Sequence, residues 1–469
     1  MLNKIIAKPF AKELKSTFNL STPLIAAQLI YACSGFIATV LIAPLGEEAL
    51  AASVLVSTIW WCLLVLFFGI LNAGSVLIAH HFGAKNWRGI SEVMGQSYVL
   101  GFIACLAIFL VLQSMPFFLA WTHQPPHVLH LAIQYVNALA WTIPGLIFLV
   151  LTEQFLAGIG LGKIVMRISI LVVPIEIFII DILITGKFGV PAFGIAGIGY
   201  GFAITYTLAT FGLITYLHYS AYYKKFAIFS RIGSCNLIGL SEFILLGLPM
   251  GFMGLIEVST FAIITFWMAR LGTTLLAAHQ VVMQYANLAI TIVFGMAQAV
   301  TVRVGHAVGR KDILGIRHAI YAGIFISFCI IAAIVLFFDT YPKLFINVDI
   351  PNTIANAKLL KHATDLFFIM GCLIIFDNFR IIGFGALRGL KDTSFSMYAS
   401  LVGFWLVGLC SAYVLGFVSH WQGAGIWWGL TLGIGSSAIM VMWRLYYLLA
   451  RMDKLGLAIL VTQPAKFYD

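Results

Sequence analysis

Twelve apolar runs, each about 20 residues or longer, follow one another along the chain, separated by short segments carrying charge, glycine or proline. They fall near 18–43, 50–79, 92–113, 131–158, 164–186, 193–219, 238–269, 274–303, 317–339, 362–386, 394–418 and 422–450. A helix of about 20 residues matches the hydrocarbon thickness of a bilayer. A water-soluble domain carries about a quarter of its residues as charges, whereas here 9% are charged and 62% are hydrophobic. The mean hydropathy is +1.03. Too little polar surface remains for water, so lipid is the expected solvent. The expected fold is an all-α polytopic membrane protein with about twelve spans.

Charge orients the spans. The Lys4–Lys15 tail, Lys85/Arg88, Lys163/Arg167, Lys224/Lys225/Arg231, Arg310/Lys311/Arg317, Arg388/Lys391 and Arg444/Arg451/Lys454/Lys466 fall on one side. With Arg303 and Arg380 on that face, it holds 22 of the 27 basic residues, leaving Lys187, Arg270, Lys343, Lys358 and Lys361 opposite. The positive-inside rule then places both termini in the cytoplasm. The lysine-rich start leads into an apolar run too long for a cleavable signal.

The net charge of +10 is spread over short clusters between spans, which excludes a nucleic-acid surface. Seven cysteines (Cys33, Cys62, Cys105, Cys235, Cys329, Cys372, Cys410) lie mostly in apolar runs without a CxxC pair. They read as small buried hydrophobes, not as disulfides or metal ligands. No Ser–His–Asp or metal-spaced group gives an enzyme a seat.

The sequence repeats itself at a shift of 226. Pro23 meets Pro249, Leu45-Gly46 meets Leu271-Gly272, Leu50-Ala51-Ala52 meets Leu276-Ala277-Ala278, and Gly69, His80 and Gly83 meet Gly295, His306 and Gly309. Ala196-Gly197-Ile198 meets Ala424-Gly425-Ile426 at 228. Six spans per half make the repeats parallel, an arrangement suited to alternating access, though channels use repeats too. The expected division is 1–219 for the first six-helix half, 220–237 for a cytoplasmic linker, 238–450 for the second half and 451–469 for a cytoplasmic tail.

Four segments carry a family resemblance: Ala277-Ala278-His279-Gln280; Arg303-Val304-Gly305-His306 with Gly309; Leu387-Arg388-Gly389 with Lys391-Asp392; and Pro249 followed by Glu257-Val258. Together they resemble the MATE (multidrug and toxic compound extrusion) transporters, in their bacterial sodium- or proton-coupled branch, over nearly the whole chain. The resemblance implies two six-helix bundles around a central cavity in the bacterial inner membrane. It implies export of organic cations or amphiphiles, driven by Na⁺ or H⁺, with no cofactor and no enzyme activity. The chain is expected to work as a monomer with the lipid bilayer and small molecules as its partners. Lipid-linked oligosaccharide flippases of the same superfamily are a rival reading, but they commonly carry more basic cavities and extra helices. A non-transporting receptor or channel is another; it needs no intramembrane acids.

An acid at mid-bilayer costs about 2.5–3.5 kcal/mol on insertion scales, so it persists where it has a partner or a task. Glu257 and Asp377 match positions where the family carries cation-coupling acids. A carboxylate can ligate Na⁺ or carry a proton; each could instead be structural. Arg380 lies three residues beyond Asp377, on the same helix face. It either pairs with Asp377 or reaches Glu153, the approximately equivalent position of the other half, as a gate between halves. Ala38 stands where family members usually place Asp on helix 1, and Ala157 where some carry Asp on helix 4. Leu373 replaces a Tyr of some sodium-coupled members. On helix 5, Glu176 and Asp181 are five apart and cannot both face one cavity, and Glu176 is the candidate cavity acid.

Gln280 and Gln284 share a helix face and are candidate substrate contacts, alternatively interhelical glue, the role expected of Gln28, Asn72, Asn287, Gln298 and Asn378. Tyr31, Trp60, Phe261 and Tyr285 are candidate cavity aromatics that would attract lipophilic cations. The remaining aromatics are expected at the lipid surface. His80, His81 and His306 read as hinge residues, and His279 poses the same choice between structure and proton transfer.

Overall fold

The protein was analysed as a computed structural model, which describes residues 2–121, 125–231, 237–350, 353 and 356–455. Most of the expected tail, residues 232–236 of the linker, and Cys235 lie outside the described residues. Regular structure among the described residues is entirely helical. The first repeat contains α1 (Leu2–Ile42), α2 (Glu47–Gly83), α3 (Trp87–Ala120), α4 (Pro126–Ala140), α5 (Thr142–Gly158), α6 (Gly162–Thr185), α7 (Ala196–Tyr219) and the one-turn α8 (Ala221–Lys224). The second contains α9 (Leu237–Leu271), α10 (Thr273–Gly309), α11 (Ile313–Thr340), α12 (Pro342–Asp349) and α13 (Ala357–Gly389). Its fifth span starts as α14 (Thr393–Ser400) and runs through π-helical turns at Leu401–Leu409, α15 (Cys410–Tyr413) and π-helical turns at Val414–Val418, before α16 (Gln422–Leu455).

Eleven of these helical stretches are long and apolar enough to cross a bilayer, and the bent pair α4–α5 supplies the twelfth span. The sequence predicts one continuous helix over 131–158; the structure breaks it with a 43° bend between Ala140 and Thr142. Pro144 is the cause. It has no N–H to give the Ala140 carbonyl, and its ring collides with that carbonyl in a regular helix. The matching helix α13 has Ile375 at this register and runs unbroken.

The helices turn their apolar side chains outward as well as inward. Along α3, Phe102, Leu106 and Leu110 are 66%, 53% and 59% exposed, while Ile108 and Leu112 on the opposite face are fully buried. Large apolar residues on that scale belong against lipid. The cysteines follow this surface rather than the expected interior: all six described ones are free, only Cys105 is buried, and Cys33, Cys329 and Cys410 are exposed. In a bilayer an apolar run has two apolar environments to choose from.

Two compact units emerge. The N unit is Ala26–Leu248; the C unit joins the residues up to Ile25 with those from Pro249 onward. The sequence repeat divides the chain after residue 219, whereas the contacts divide it inside α1 and α9, each beside one of the matched prolines Pro23 and Pro249. Proline removes a backbone hydrogen bond and lets a helix change its packing partner there. The start of α1 packs on α10 in the C unit, where a Cβ at Gly295 would lie 2.7 Å from Ile25 Cα. The start of α9 packs on α2 in the N unit, where a Cβ at Gly247 would lie 2.6 Å from Ile70 Cα.

The repeat is legible in the turns. After Gly83 and Gly309 the chain passes through Lys85 and Lys311, both left-handed (φ 57° and 58°), to Asn86 and Asp312. These two side chains cap the next helices by accepting from Gly89 N and Gly315 N. Gly158 packs against Ile78 and the Ser75 carbonyl just as Gly389 packs against Val304 and the Thr301 carbonyl. That correspondence sets the register of α5 against α13 at 231. Glu153 therefore matches Phe384, one turn beyond Arg380, which corrects the approximate equivalence of Glu153 and Arg380 read from the sequence.

Candidate functional site

Each unit buries acids inside its spans. In the C unit, Glu257 on α9 meets Asp377 and Arg380 on α13. Arg380 Nε donates to Asp377 Oδ1 at 2.6 Å, and Nη1 donates to Glu257 Oε1 at 2.5 Å. Three-residue spacing on one helix brings Asp377 and Arg380 together; only packing of α9 brings Glu257. Arg380 and Asp377 are buried, with side chains 2% and 3% exposed, while Glu257 is 15% exposed.

The guanidinium also lies over the rings of Phe384 (5.1 Å) and Phe404 (4.8 Å), a cation–π setting that strengthens where water is absent. Phe404 belongs to the π-helical turns after α14. These occur where small residues let this span touch α16 nearly backbone to backbone, Gly403 against Gly433 and Ser437. Arg388, one turn beyond Phe384, donates from Nε to the Phe384 carbonyl at 3.3 Å and lies within electrostatic reach of Glu257. Phe384, Phe404 and Arg388 were not singled out as site residues. The i, i+4 spacing of Arg380, Phe384 and Arg388 was the available signal.

In the N unit the acids meet hydroxyls. Tyr31 on α1 donates to Glu153 Oε1 on α5 at 2.7 Å. Ser34, one turn further along α1, donates to Glu176 Oε1 on α6. Glu176 is fully buried. Its Oε2 makes no hydrogen bond of good geometry among the described residues, although the Tyr206 phenol lies beside it. Asp181 turns away to Lys187 at 2.7 Å, as its spacing from Glu176 requires. Ser34 and Tyr206 carry no local mark in the sequence, because nothing near a serine or tyrosine identifies it as the partner of an acid on another helix.

The other expected site residues are spread over both units. Gln280 and Gln284 are exposed on one face of α10. Phe261 is half-buried, edge-on to Phe404 at 6.2 Å. Tyr285 donates to the Phe345 carbonyl at 2.9 Å and to Asp349 Oδ2 at 3.1 Å, its ring packed among Phe338, Phe345 and Phe367. Trp60 is half-buried on α2. In the same unit, a cavity of 740 Å³ is lined by Glu47, Val54, Thr58, Pro125 and Val128 among others.

His279 is buried between Trp427 and Thr265: the indole Nε1 lies 3.2 Å from its Nδ1, and its Nε2 lies 3.2 Å from Thr265 Oγ1. An indole N–H can only donate. Nδ1 must then accept, which fixes a neutral imidazole carrying its hydrogen on Nε2. His279 is built into the packing.

Comparison with known proteins agrees with this architecture. The sequence model of the MatE family matches twice, over residues 23–180 and 249–414, and the two matches begin at Pro23 and Pro249. A probable multidrug resistance protein NorM of Pseudomonas aeruginosa is 30% identical over 438 residues, 92% of this chain and 89% of that protein. The multidrug resistance protein NorM of Burkholderia vietnamiensis is 30% identical over 452 residues, 95% and 96% of the two chains. A eukaryotic MATE transporter superposes with a TM-score of 0.81 at 20% identity, covering 96% of this chain and 99% of that one. A multidrug resistance MATE family transporter of the MOP superfamily, solved facing outward, superposes with a TM-score of 0.84 at 20% identity over 94% and 97%. The solved structures share the fold; the doubled family match and the relatives' near-complete coverage settle membership, and this chain belongs to the MatE family of membrane transporters.

Proposed function

We propose that the protein is a cation-coupled antiporter that exports lipophilic organic cations and related amphiphiles by alternating access. The observation that carries this reading is the presence of acids inside the spans of both units, buried Asp377 with part-buried Glu257 in one and buried Glu176 with part-buried Glu153 in the other. Groups this costly to bury persist where they serve a task. Occupation by an inward-moving Na⁺ or H⁺ disfavours a cationic cargo, and linkage makes the exclusion mutual. The multidrug resistance proteins among its relatives support the cargo class.

Gln280 and Gln284, with Tyr31, Trp60, Phe261 and Tyr285, are the polar and aromatic surfaces offered to such cargo. The working unit is a monomer in the bacterial inner membrane, both termini in the cytoplasm, its halves 1–219 and 238–450 joined by the 220–237 linker. Proteoliposomes loaded with cationic dyes, under separately imposed Na⁺ and H⁺ gradients, test this. Dye efflux should follow at least one gradient; efflux that ignores both removes the antiporter reading.

A further inference from the structure

The segment that joins the two sequence repeats is fastened to the basic end of the N unit. Phe226 is fully buried, edge-on to Trp87 at the start of α3 (5.5 Å) and to Phe155 of α5 (5.6 Å). Ser91 donates to the Ala227 carbonyl at 2.7 Å, and Arg231 Nη1 donates to Glu92 Oε1 at 2.8 Å. Buried rings and hydrogen bonds at close intervals hold this backbone in one place. The charges it carries are held with it.

Its outer side is cationic. Lys224 and Lys225 are exposed, and exposed Lys85 and Arg88 flank Trp87. Lys225 Nζ lies over the rings of Tyr222 (4.1 Å), Phe226 (4.9 Å) and Trp87 (5.4 Å), so three aromatic faces fix the ammonium from within. Arg88 and Arg231 share Glu92. Lys224 and Lys225 pair with no carboxylate among the described residues. An anion can reach them without breaking an internal bond.

Helix α7 sets the depth of that anion. Tyr216 and Tyr219 in its last turn are exposed, as is Tyr222 just beyond, and tyrosines at the end of a span mark the headgroup layer. The rings of Tyr216, Tyr223 and Tyr222 follow one another at 5.8 and 5.1 Å and end under Lys225. Deeper along α7, Ile204, Leu208 and Phe211 are exposed. Nothing lies within 4 Å of the Cβ position of Gly212, one turn from both Leu208 and Tyr216. An apolar notch thus leads through tyrosines to a pair of ammonium groups, the order in which a phospholipid presents its chain, its glycerol and its phosphate.

We infer that Lys224 and Lys225 bind the phosphate of an anionic phospholipid, in the leaflet on the basic side of the protein, with Tyr222 and the notch at Gly212 seating the rest of the molecule. This surface is separate from the buried acids of either unit, and the inference does not depend on the antiporter reading. A cationic cargo has no attraction for it.

Native mass spectrometry of the purified full-length protein, titrated in neutral detergent with phosphatidylglycerol or phosphatidylcholine, reads the bound lipid directly. The wild type should hold phosphatidylglycerol at least about tenfold more tightly than phosphatidylcholine, given the worth of basic residues at an anionic surface. On the same scale Lys224→Gln or Lys225→Gln should weaken phosphatidylglycerol about fivefold, and the two together about 25-fold. Lys224→Arg/Lys225→Arg keeps both charges and should keep the preference. Arg310→Gln removes an exposed charge from the basic end of the C unit and should leave the preference unchanged. Equal binding of the two lipids overturns the proposal. So does an Arg310→Gln protein weakened as much as the double glutamine variant, because net charge and not this surface would then hold the lipid. Soluble glycerol phosphate should leave the lipid bound; displacement would make this a site for free phosphates and overturn the assignment to lipid.

Discussion

Tyr31 stands in the first repeat where Glu257 stands in the second, 226 residues apart, and each reaches from its helix to the matching helix of its own unit. Tyr31 gives a hydrogen bond to Glu153 on α5 at 2.7 Å. Glu257 takes one from Arg380 on α13 at 2.5 Å. Acid and partner have exchanged helices, and the partner has shifted by one turn. A duplicated scaffold thus holds two contacts of opposite polarity, one between neutral hydroxyl and acid, the other between acid and arginine.

Removing Arg380 should be severe. Arg380→Met leaves buried Asp377 and part-buried Glu257 without the guanidinium that bonds them both, and breaking such a buried pair costs about 3–5 kcal/mol. Thermal unfolding in detergent should fall markedly. Arg380→Lys should recover part of the loss, because an ammonium keeps the charge but not the two separate donors of the guanidinium. A Met variant that melts with the wild type would remove the triad from the stability of the C unit.

The tautomer of His279 is fixed by Trp427. Trp427→Phe deletes the indole donor and leaves Nδ1 buried without it, at a cost of about 1–3 kcal/mol. Nitrogen-15 NMR of the wild type should read Nδ1 as a bare ring nitrogen and Nε2 as protonated across the neutral range. A doubly protonated ring at neutral pH is incompatible with the bond.

Pro144 should account for the bend in the fourth span. In Pro144→Leu the Ala140 carbonyl regains an N–H partner and the ring clash disappears. Spin labels placed near Val128 and Leu156 should then move apart as the 43° bend relaxes. An unchanged distance would mean that neighbouring helices impose the bend.

Gly247 and Gly295 lie where α9 meets α2 and α1 meets α10. Their Cβ positions fall within 2.7 Å of the Cα atoms of Ile70 and Ile25, so alanine at either glycine should destabilise by about 1–3 kcal/mol. Gly212 on α7 has nothing within 4 Å of its Cβ position. There alanine should be neutral or stabilise by about 0.5–1 kcal/mol through helix propensity. Melting temperatures of the three variants make the comparison, and equal effects would contradict the packing.

The sequence by itself determined that the chain is helical and lipid-solvated, how many times it crosses, and that it is built twice. These follow from local quantities: run length, charge between runs, and the recurrence of Pro23 as Pro249 and of Gly83 as Gly309. It also marked Glu257, Asp377, Glu176 and Arg380, since a charge inside an apolar run is conspicuous in one dimension. Only the tertiary structure decided which of them meet. The pairing of Glu257 with Arg380, the hydroxyls beside Glu153 and Glu176, the one-turn offset between the repeats, and the passage of α1 and α9 between units at their prolines all depend on contacts between helices far apart in the chain. Apolar periodicity cannot encode such contacts in a membrane, because there lipid and protein interior satisfy an apolar side chain almost equally well.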